Sequence, residues 1–368
     1  MRAAPMADIS RYPVTHPVGD WLRAHLSAPW AFAANAVLAL VLVAGFVAVT
    51  ALFLVWLERK VCARFQVRIG PNRVGPFGLL QTVADAVKLL LKECFMPREA
   101  DTVVYHLAPL IPMTASFMVF CVLPFDHHMQ VADPKGGVVY LSAFLGLSVF
   151  GILLAGWSSN NKYSLLGAMR SGAQMISYEV SFVICMLLIV MASGSASLRD
   201  IVLAQQGTVL DWWIFKLPVI GFTSFVLFLV SSTAELHRAP FDIAEAESEL
   251  TGGYHTEYSG MAFAMFFLSE YANLFIAAGL GTTMFLGGFL APQFGFGPLD
   301  RALLFIPGFV WFIAKAYGLI FVYMWFRWTY PRLRVDQLMS LEWKFLLPAT
   351  LLNLMLGAVL VGLGWILP

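Results

Sequence analysis

The chain has 368 residues, 60% of them hydrophobic and 12% charged, with a formal net charge of +1. A soluble domain carries about 25% charged residues, so this composition excludes an ordinary water-soluble enzyme and implies a polytopic membrane protein. A balance this near neutral gives no pointer to a charged partner, and no nucleic-acid contact is expected.

A helix needs about 20 apolar residues to cross a bilayer core. Eight stretches qualify, at roughly 31–57, 103–124, 138–158, 176–193, 218–236, 262–288, 303–326 and 346–367. The expected fold class is therefore all-α: a polytopic integral membrane protein with about eight transmembrane helices plus amphipathic cytoplasmic-side helices. Residues 1–30 are polar and mixed, without a signal peptide of ordinary shape, and read as an N-terminal extension. Residues 31–368 read as a single transmembrane domain, with cytoplasmic-side loops at 58–102, 159–175, 237–261 and 327–345.

The orientation follows from the connections. Of the 23 lysines and arginines, 15 lie in the loops after the first, third, fifth and seventh spans, and seven lie at the N-terminus and in the other loops. The richer side is expected to face the cytoplasm or matrix. Both termini then lie on the periplasmic or intermembrane side.

The first cytoplasmic-side loop carries two patterns. Lys60, Arg64 and Arg68 recur every four residues, and so do Val61, Phe65 and Ile69. This spacing predicts an amphipathic helix along the membrane surface. The following GPNRVGPFG, Gly70–Gly78, has two prolines and three glycines, so it must turn. Leu79–Cys94 then sets a polar stripe of Gln81, Asp85, Lys88 and Lys92 against an apolar one. Such helices serve as surface anchors, as docking faces for a soluble partner, or as the wall of a cavity between the two.

Charges inside the spans are few. Glu179 is placed in the first turn of the fourth span, Glu235 ends the fifth, Glu270 lies well into the sixth and Lys315 near the middle of the seventh. Intramembrane ionisable groups are costly and usually functional. The alternatives are structural ion pairs within the bundle and a proton or ion route, since a desolvated carboxylate can exchange protons near neutral pH.

The segment Ala234–Asn273 gathers seven of the chain's 22 acids: Glu235, Asp242, Glu245, Glu247, Glu249, Glu257 and Glu270. Glu245 and Glu249 would face each other on a helix and repel. Carboxylates that share protons would make use of that coupling. The acids alternate with Phe241, Ile243, Leu250 and Tyr254, which favour burial over a solvated loop.

Cys62, Cys94, Cys121 and Cys185 lie far apart and form no CxxC, which argues against an iron–sulfur or zinc site made by this chain alone.

Four segments carry a family resemblance: Glu58–Glu93, Asn160–Val180, Ala234–Gly260 and Arg327–Lys344. The chain closely resembles the H-type membrane subunits (counted as the first in mitochondria) of respiratory complex I, the proton-pumping NADH:quinone oxidoreductase, from about Ala31 to Pro368. The resemblance implies an eight-helix protein in a bacterial inner membrane, or in the mitochondrial inner membrane if organellar. It implies quinone as substrate, with iron–sulfur clusters and flavin only on partner subunits. The implied partners are the quinone-reducing peripheral-arm subunits, small membrane subunits, antiporter-like subunits and membrane lipids. By position, the acids of the implied proton route are Glu179, Glu235, Glu245, Glu247, Glu249, Glu257 and Glu270. Residues of the implied quinone chamber and its mouth are Arg59, Arg68, Asp85, Arg238, Asp242, Phe267 and Arg327. The resemblance gives no catalytic residue in this chain alone and no metal ligand.

Two other readings of the residues stand beside it. One is the corresponding membrane component of a related membrane-bound hydrogenase complex. The other is a self-contained ion-coupled transporter, for which an internal repeat is expected and none is evident.

Overall fold

A computed structural model describes residues 27–127, 129–217, 219–243, 250–295 and 297–364. Among these residues every regular element is helical. In chain order the α-helices are α1 Ala28–Phe65, α2 Gln81–Leu91, α3 Thr102–Leu107, α4 Leu110–Val122, α5 Gly137–Ser158, α6 Lys162–Ser193 and α7 Leu198–Leu203. There follow α8 Trp213–Lys216, α9 Ile220–Glu235, α10 Gly260–Phe285, α11 Gly297–Leu304, α12 Gly308–Thr329, α13 Val335–Leu341 and α14 Leu347–Gly362.

Among the described residues seven helical segments are long and apolar enough to cross a membrane, counting α3 with α4 and α13 with α14 as single segments. The expected span at 218–236 corresponds to α9, which has only 16 residues. That is about 24 Å of helix, short of a bilayer core of about 30 Å. It stops at Glu235 because the next turn holds Arg238 and Pro240, and His237 adopts φ 50°.

Three local expectations are corrected. The helix that carries the fourth expected span starts before 176: α6 begins at Lys162, where the Asn161 side chain accepts the Tyr163 N–H at 2.9 Å as an N-cap. Glu179 therefore sits in the middle of a 32-residue helix, not in a first turn. The surface helix expected at 60–69 is the end of α1, which runs unbroken for 38 residues and closes at Phe65. Val67 at φ 53° turns the chain away. The expected turn at 70–78 and the amphipathic helix after it are both present, the latter as α2.

Two helices organise the bundle. α6 packs against α5, α9 and α14, and α10 packs against α4, α12 and α1. Small residues allow the close approach on α5 and α6: a Cβ added at Gly156 would stand 2.2 Å from the Ala168 methyl. Aromatic rings fill the space around α10. Phe275 meets Phe46 at 5.5 Å, Phe120 at 5.7 Å and Phe312 at 6.4 Å between centroids. Most of the fully buried rings of the core belong to these elements.

Candidate functional site: a charged network and its cavity

Where α1, α10 and α12 meet, their charged residues converge. The Glu58 carboxylate, near the end of α1, is 7% exposed. Arg238 Nη1 donates to both its oxygens, at 2.8 and 2.9 Å. Arg327, from the last turn of α12, donates to it as well. The Tyr271 hydroxyl on α10 donates to Glu58 Oε2 at 2.8 Å. Arg238 Nη2 lies 2.9 Å from Glu270 Oε1, and its guanidinium stands 4.9 Å from the Tyr271 ring centroid.

This group holds two acids and two arginines, so it is neutral as a whole. That balance is what allows charges to be buried here, because an unpaired ion would cost several kcal/mol. Burial acts to lower the Arg238 pKa, but the Glu58 and Glu270 carboxylates outweigh it, raising the pKa and holding the guanidinium charged. Arg238 follows α9 directly, so the network ties the end of that helix to α1, α10 and α12.

Beside the network lies a cavity of about 940 Å³. Its walls are Glu58, Arg59 and Cys62 of α1, the loop Arg68–Arg73, Gln81 of α2, Tyr271 of α10, and Arg327 with Trp328 of α12. The loop is held in shape by glycine: Gly78 has φ 76°, and a Cβ there would meet the Pro71 carbonyl oxygen at 2.2 Å. Arg59 Nη1 bonds Asp85 Oδ2 at 2.6 Å and so pins α2 to α1. Arg68 Nε donates to Gln66 Oε1 at 2.7 Å and its Nη2 to Cys62 Sγ at 3.9 Å, and its side chain is exposed. The cavity lining mixes charged and amide groups (Glu58, four arginines, Asn72 and Gln81) with the apolar surface of Cys62, Ile69, Pro71, Tyr271 and Trp328, which suits a ligand with both polar and apolar parts.

The other expected residues fall in different places. Phe267 lies one turn below Tyr271, with centroids 4.8 Å apart, and supports that ring without lining the cavity. Asp242 pairs with Arg332 at 3.1 Å, away from the cavity lining. Glu257 accepts the Asn161 amide at 2.6 Å and borders a separate polar depression with Arg98, Glu99 and Lys162. Glu179 points at α5, where a Cβ on Gly146 would stand 2.7 Å from its Oε1. Glu235 borders a small internal gap with Leu145, Met175, Phe182 and Asn273, within electrostatic range of Glu179. Glu245, Glu247 and Glu249 lie outside the described residues.

Lys315 does not join the acids. Its Nζ donates to the backbone carbonyls of Leu286, Gly288 and Leu290 at 2.7, 3.0 and 2.7 Å. It caps the far end of α10, about 24 Å of helix from Glu270.

Two central residues are absent from the sequence-based expectations. Glu58 opens a run of cations that reads as a surface helix, and this masks it. Its signal is that it is the one acid at the end of a long apolar stretch, 31–57. Tyr271 follows Glu270 directly and carries no signal of its own.

The NADH dehydrogenase family profile matches residues 37–358. The NADH-quinone oxidoreductase H subunit of Bacteroides thetaiotaomicron is 44% identical over 96% of this chain and 98% of its own length. That of Brevibacillus brevis is 50% identical over 90% of this chain and 93% of its own length. That of Carboxydothermus hydrogenoformans is 50% identical over 86% of each.

Proposed function

The chain belongs to the NADH dehydrogenase family of NADH-quinone oxidoreductase H subunits, and from that premise we propose that its cavity is part of the quinone-binding chamber. It is a multi-pass membrane component of NADH:quinone oxidoreductase and works with the other subunits of that complex. The observation that carries the proposal is the cavity of about 940 Å³ set against the Glu58–Arg238–Arg327 network.

Quinone reduction takes two electrons and two protons. The electrons come from an iron–sulfur centre on a peripheral-arm subunit, since the four cysteines here are scattered along the chain. This chain supplies position and charge. Arg59, Arg68 and Arg327 offer cations at the cavity wall, where they orient the quinone carbonyls. Arg238 and Glu270 couple that wall to the bundle, so a change of charge at the quinone is felt along α10. From there the acidic route runs to Glu235 and Glu179. Glu245, Glu247, Glu249 and Glu257 supply its cytoplasmic-side part, while Asp85, Asp242 and Phe267 shape the mouth and walls. Small membrane subunits and antiporter-like subunits receive the route at its far end.

Arg59→Ala and Arg68→Ala are expected to weaken quinone reduction more than assembly. Both residues line the cavity, and their surface contacts are worth little to stability. The check is quinone-analogue kinetics beside the amount of assembled complex on native gels. Unchanged kinetics in both assembled variants would remove the chamber reading.

The 15 to seven distribution of lysine and arginine supports placing the cavity mouth on the cytoplasmic or matrix side, with both termini opposite. A protease-sensitive tag at Met1 should be cut only from the periplasmic or intermembrane face. Cutting from the cytoplasmic side alone contradicts this.

A further inference from the structure

The last helix carries a carboxyl that the functional reading leaves unused. α13 and α14 are joined by a π-helical turn, Glu342–Leu346, in which the Leu347 N–H bonds to the Glu342 carbonyl. The turn follows from Pro348, which has no N–H and whose ring would strike the carbonyl four residues back in an α-helix. Glu342 lies one turn after the buried Leu338, on the same face. Trp343, Lys344 and Phe345 face outward, while Glu342 is 1% exposed.

Glu342 Oε1 accepts the hydroxyl of Ser181 on α6. Glu342 Oε2 has no hydrogen-bond partner among the described residues. Tyr178 is near, but its hydroxyl goes to the Leu338 carbonyl at 2.9 Å. The titratable groups that face Glu342 are Tyr178 and Cys185, and no described cation pairs with it. A carboxyl so placed changes charge only by exchanging a proton, since burial without a cation favours the neutral acid.

Ser181 stands in a polar seam. Gln174, Tyr178, Ser181 and Cys185 share one face of α6 at helical spacing. Ser224, Ser231 and Glu235 share one face of α9, which packs against α6, with Ser224 against Cys185. Gln174 reaches the Ala234 carbonyl at 2.6 Å, beside Glu235. The Ser231 hydroxyl and the Gln174 Oε1 atom are buried and, like Glu342 Oε2, have no hydrogen-bond partner among the described residues, while the Ser224 hydroxyl meets the Cys185 thiol. Three orphaned polar atoms in one seam are the setting in which buried water makes its hydrogen bonds.

We propose that Glu342 is a proton-holding site of the translocation cycle, exchanging its proton with Glu235 through water held by Gln174, Ser181 and Ser231. In the step, the Glu342 O–H bond breaks, the seam water takes that proton and gives one of its own to the Glu235 carboxylate. One negative charge moves from Glu235 to Glu342, and none is created. The inference rests on the proposed role of Glu235 in the proton route.

The test uses the whole complex in proteoliposomes, with Glu342→Gln, Glu342→Leu and, in parallel, Glu235→Gln. Both Glu342 variants should lower coupled proton pumping by about tenfold, equivalent to about 1.4 kcal/mol on a barrier. NADH oxidation by an acceptor that bypasses quinone should stay unchanged. The reduced-minus-oxidised infrared difference spectrum should lose a protonated-carboxyl band in Glu342→Gln, which a packing role would not move. Pumping and spectra at wild-type levels in Glu342→Leu, with Glu235→Gln impaired, overturn this inference alone. Wild-type pumping in Glu235→Gln overturns the proton route as well. If the Glu342 variants do not assemble, the unmodified complex decides. A hydrophobic carbodiimide should label Glu342, mapped by mass spectrometry, at a rate that changes with NADH-driven turnover. No label, or a rate indifferent to turnover, overturns the proposal.

Discussion

Replacing Arg238 with leucine is expected to produce the largest loss of stability of any single change at the site. Arg238 is 3% exposed and is the shared partner of Glu58 and Glu270. Its removal leaves Glu270 without that cation and Glu58 with only Arg327 and Tyr271. Breaking a buried charge pair from one side costs about 3–5 kcal/mol, most of it from the charge left behind. The amount of assembled complex and its thermal midpoint should both fall. The double replacement Arg238→Leu with Glu270→Leu should recover part of the loss, because Glu58 and Arg327 then remain as a neutral pair. A double variant as unstable as the sum of the two single ones would mean that the network is not coupled in this way.

The second large effect is expected in coupling rather than in stability. Glu235→Gln and Glu179→Gln keep the shape and most hydrogen-bonding capacity of each side chain but remove its titrating proton. The two acids interact electrically inside the bundle, on neighbouring helices α9 and α6. If both carry protons, quinone-linked turnover should fall by about 100-fold, the low end of what a positioned proton-transfer group contributes. Electron input measured with an artificial acceptor should be unaffected. A purely structural pair predicts the reverse, since an amide removes repulsion and should leave turnover intact or raise stability. Variants with both rates and the pumping ratio at wild-type levels would take these carboxylates out of the mechanism.

The site residues differ in how far the sequence discloses them. Glu270 is legible because it is an ionisable group inside an apolar stretch, where chance occurrence is rare, whereas Arg238 and Arg327 read as loop charges and are singled out only by the family resemblance. Their convergence on Glu58 is not legible, because periodicity reports a helix face and not which other helix it meets. Glu58 itself is hidden by its neighbours: Lys60, Arg64 and Arg68 suggest a surface helix that does not exist apart from α1. The start of α6 is obscured for a similar reason. Lys162 and Arg170 look like loop charges, yet Ser164, Gly167, Ala168 and Ser171 form a small-residue face that packs tightly. The Asn161 cap is present in the sequence and marks the true start. Glu342 is missed because it precedes the apolar run at 346–367 and reads as a loop charge, although it lies one turn after the buried Leu338 on the same face.

Lys315 shows the opposite error. A lysine within an apolar span reads, with the acids, as part of one route. Its position is legible, but its three carbonyl partners come from the chain beyond α10, around the paired glycines Gly287 and Gly288. A long side chain reaches partners that spacing along its own helix does not indicate.

The claim that the cavity holds the quinone head is tested most directly by photoaffinity labelling of the intact complex. The probe is a quinone analogue with a photoreactive group on the ring, irradiated with and without excess quinone, and mapped by mass spectrometry. The account predicts label on the segments that wall the cavity, Glu58–Arg73 and Arg327–Trp328, and its loss when quinone competes. Competable label confined to other segments of this chain, or to partner subunits alone, would contradict it.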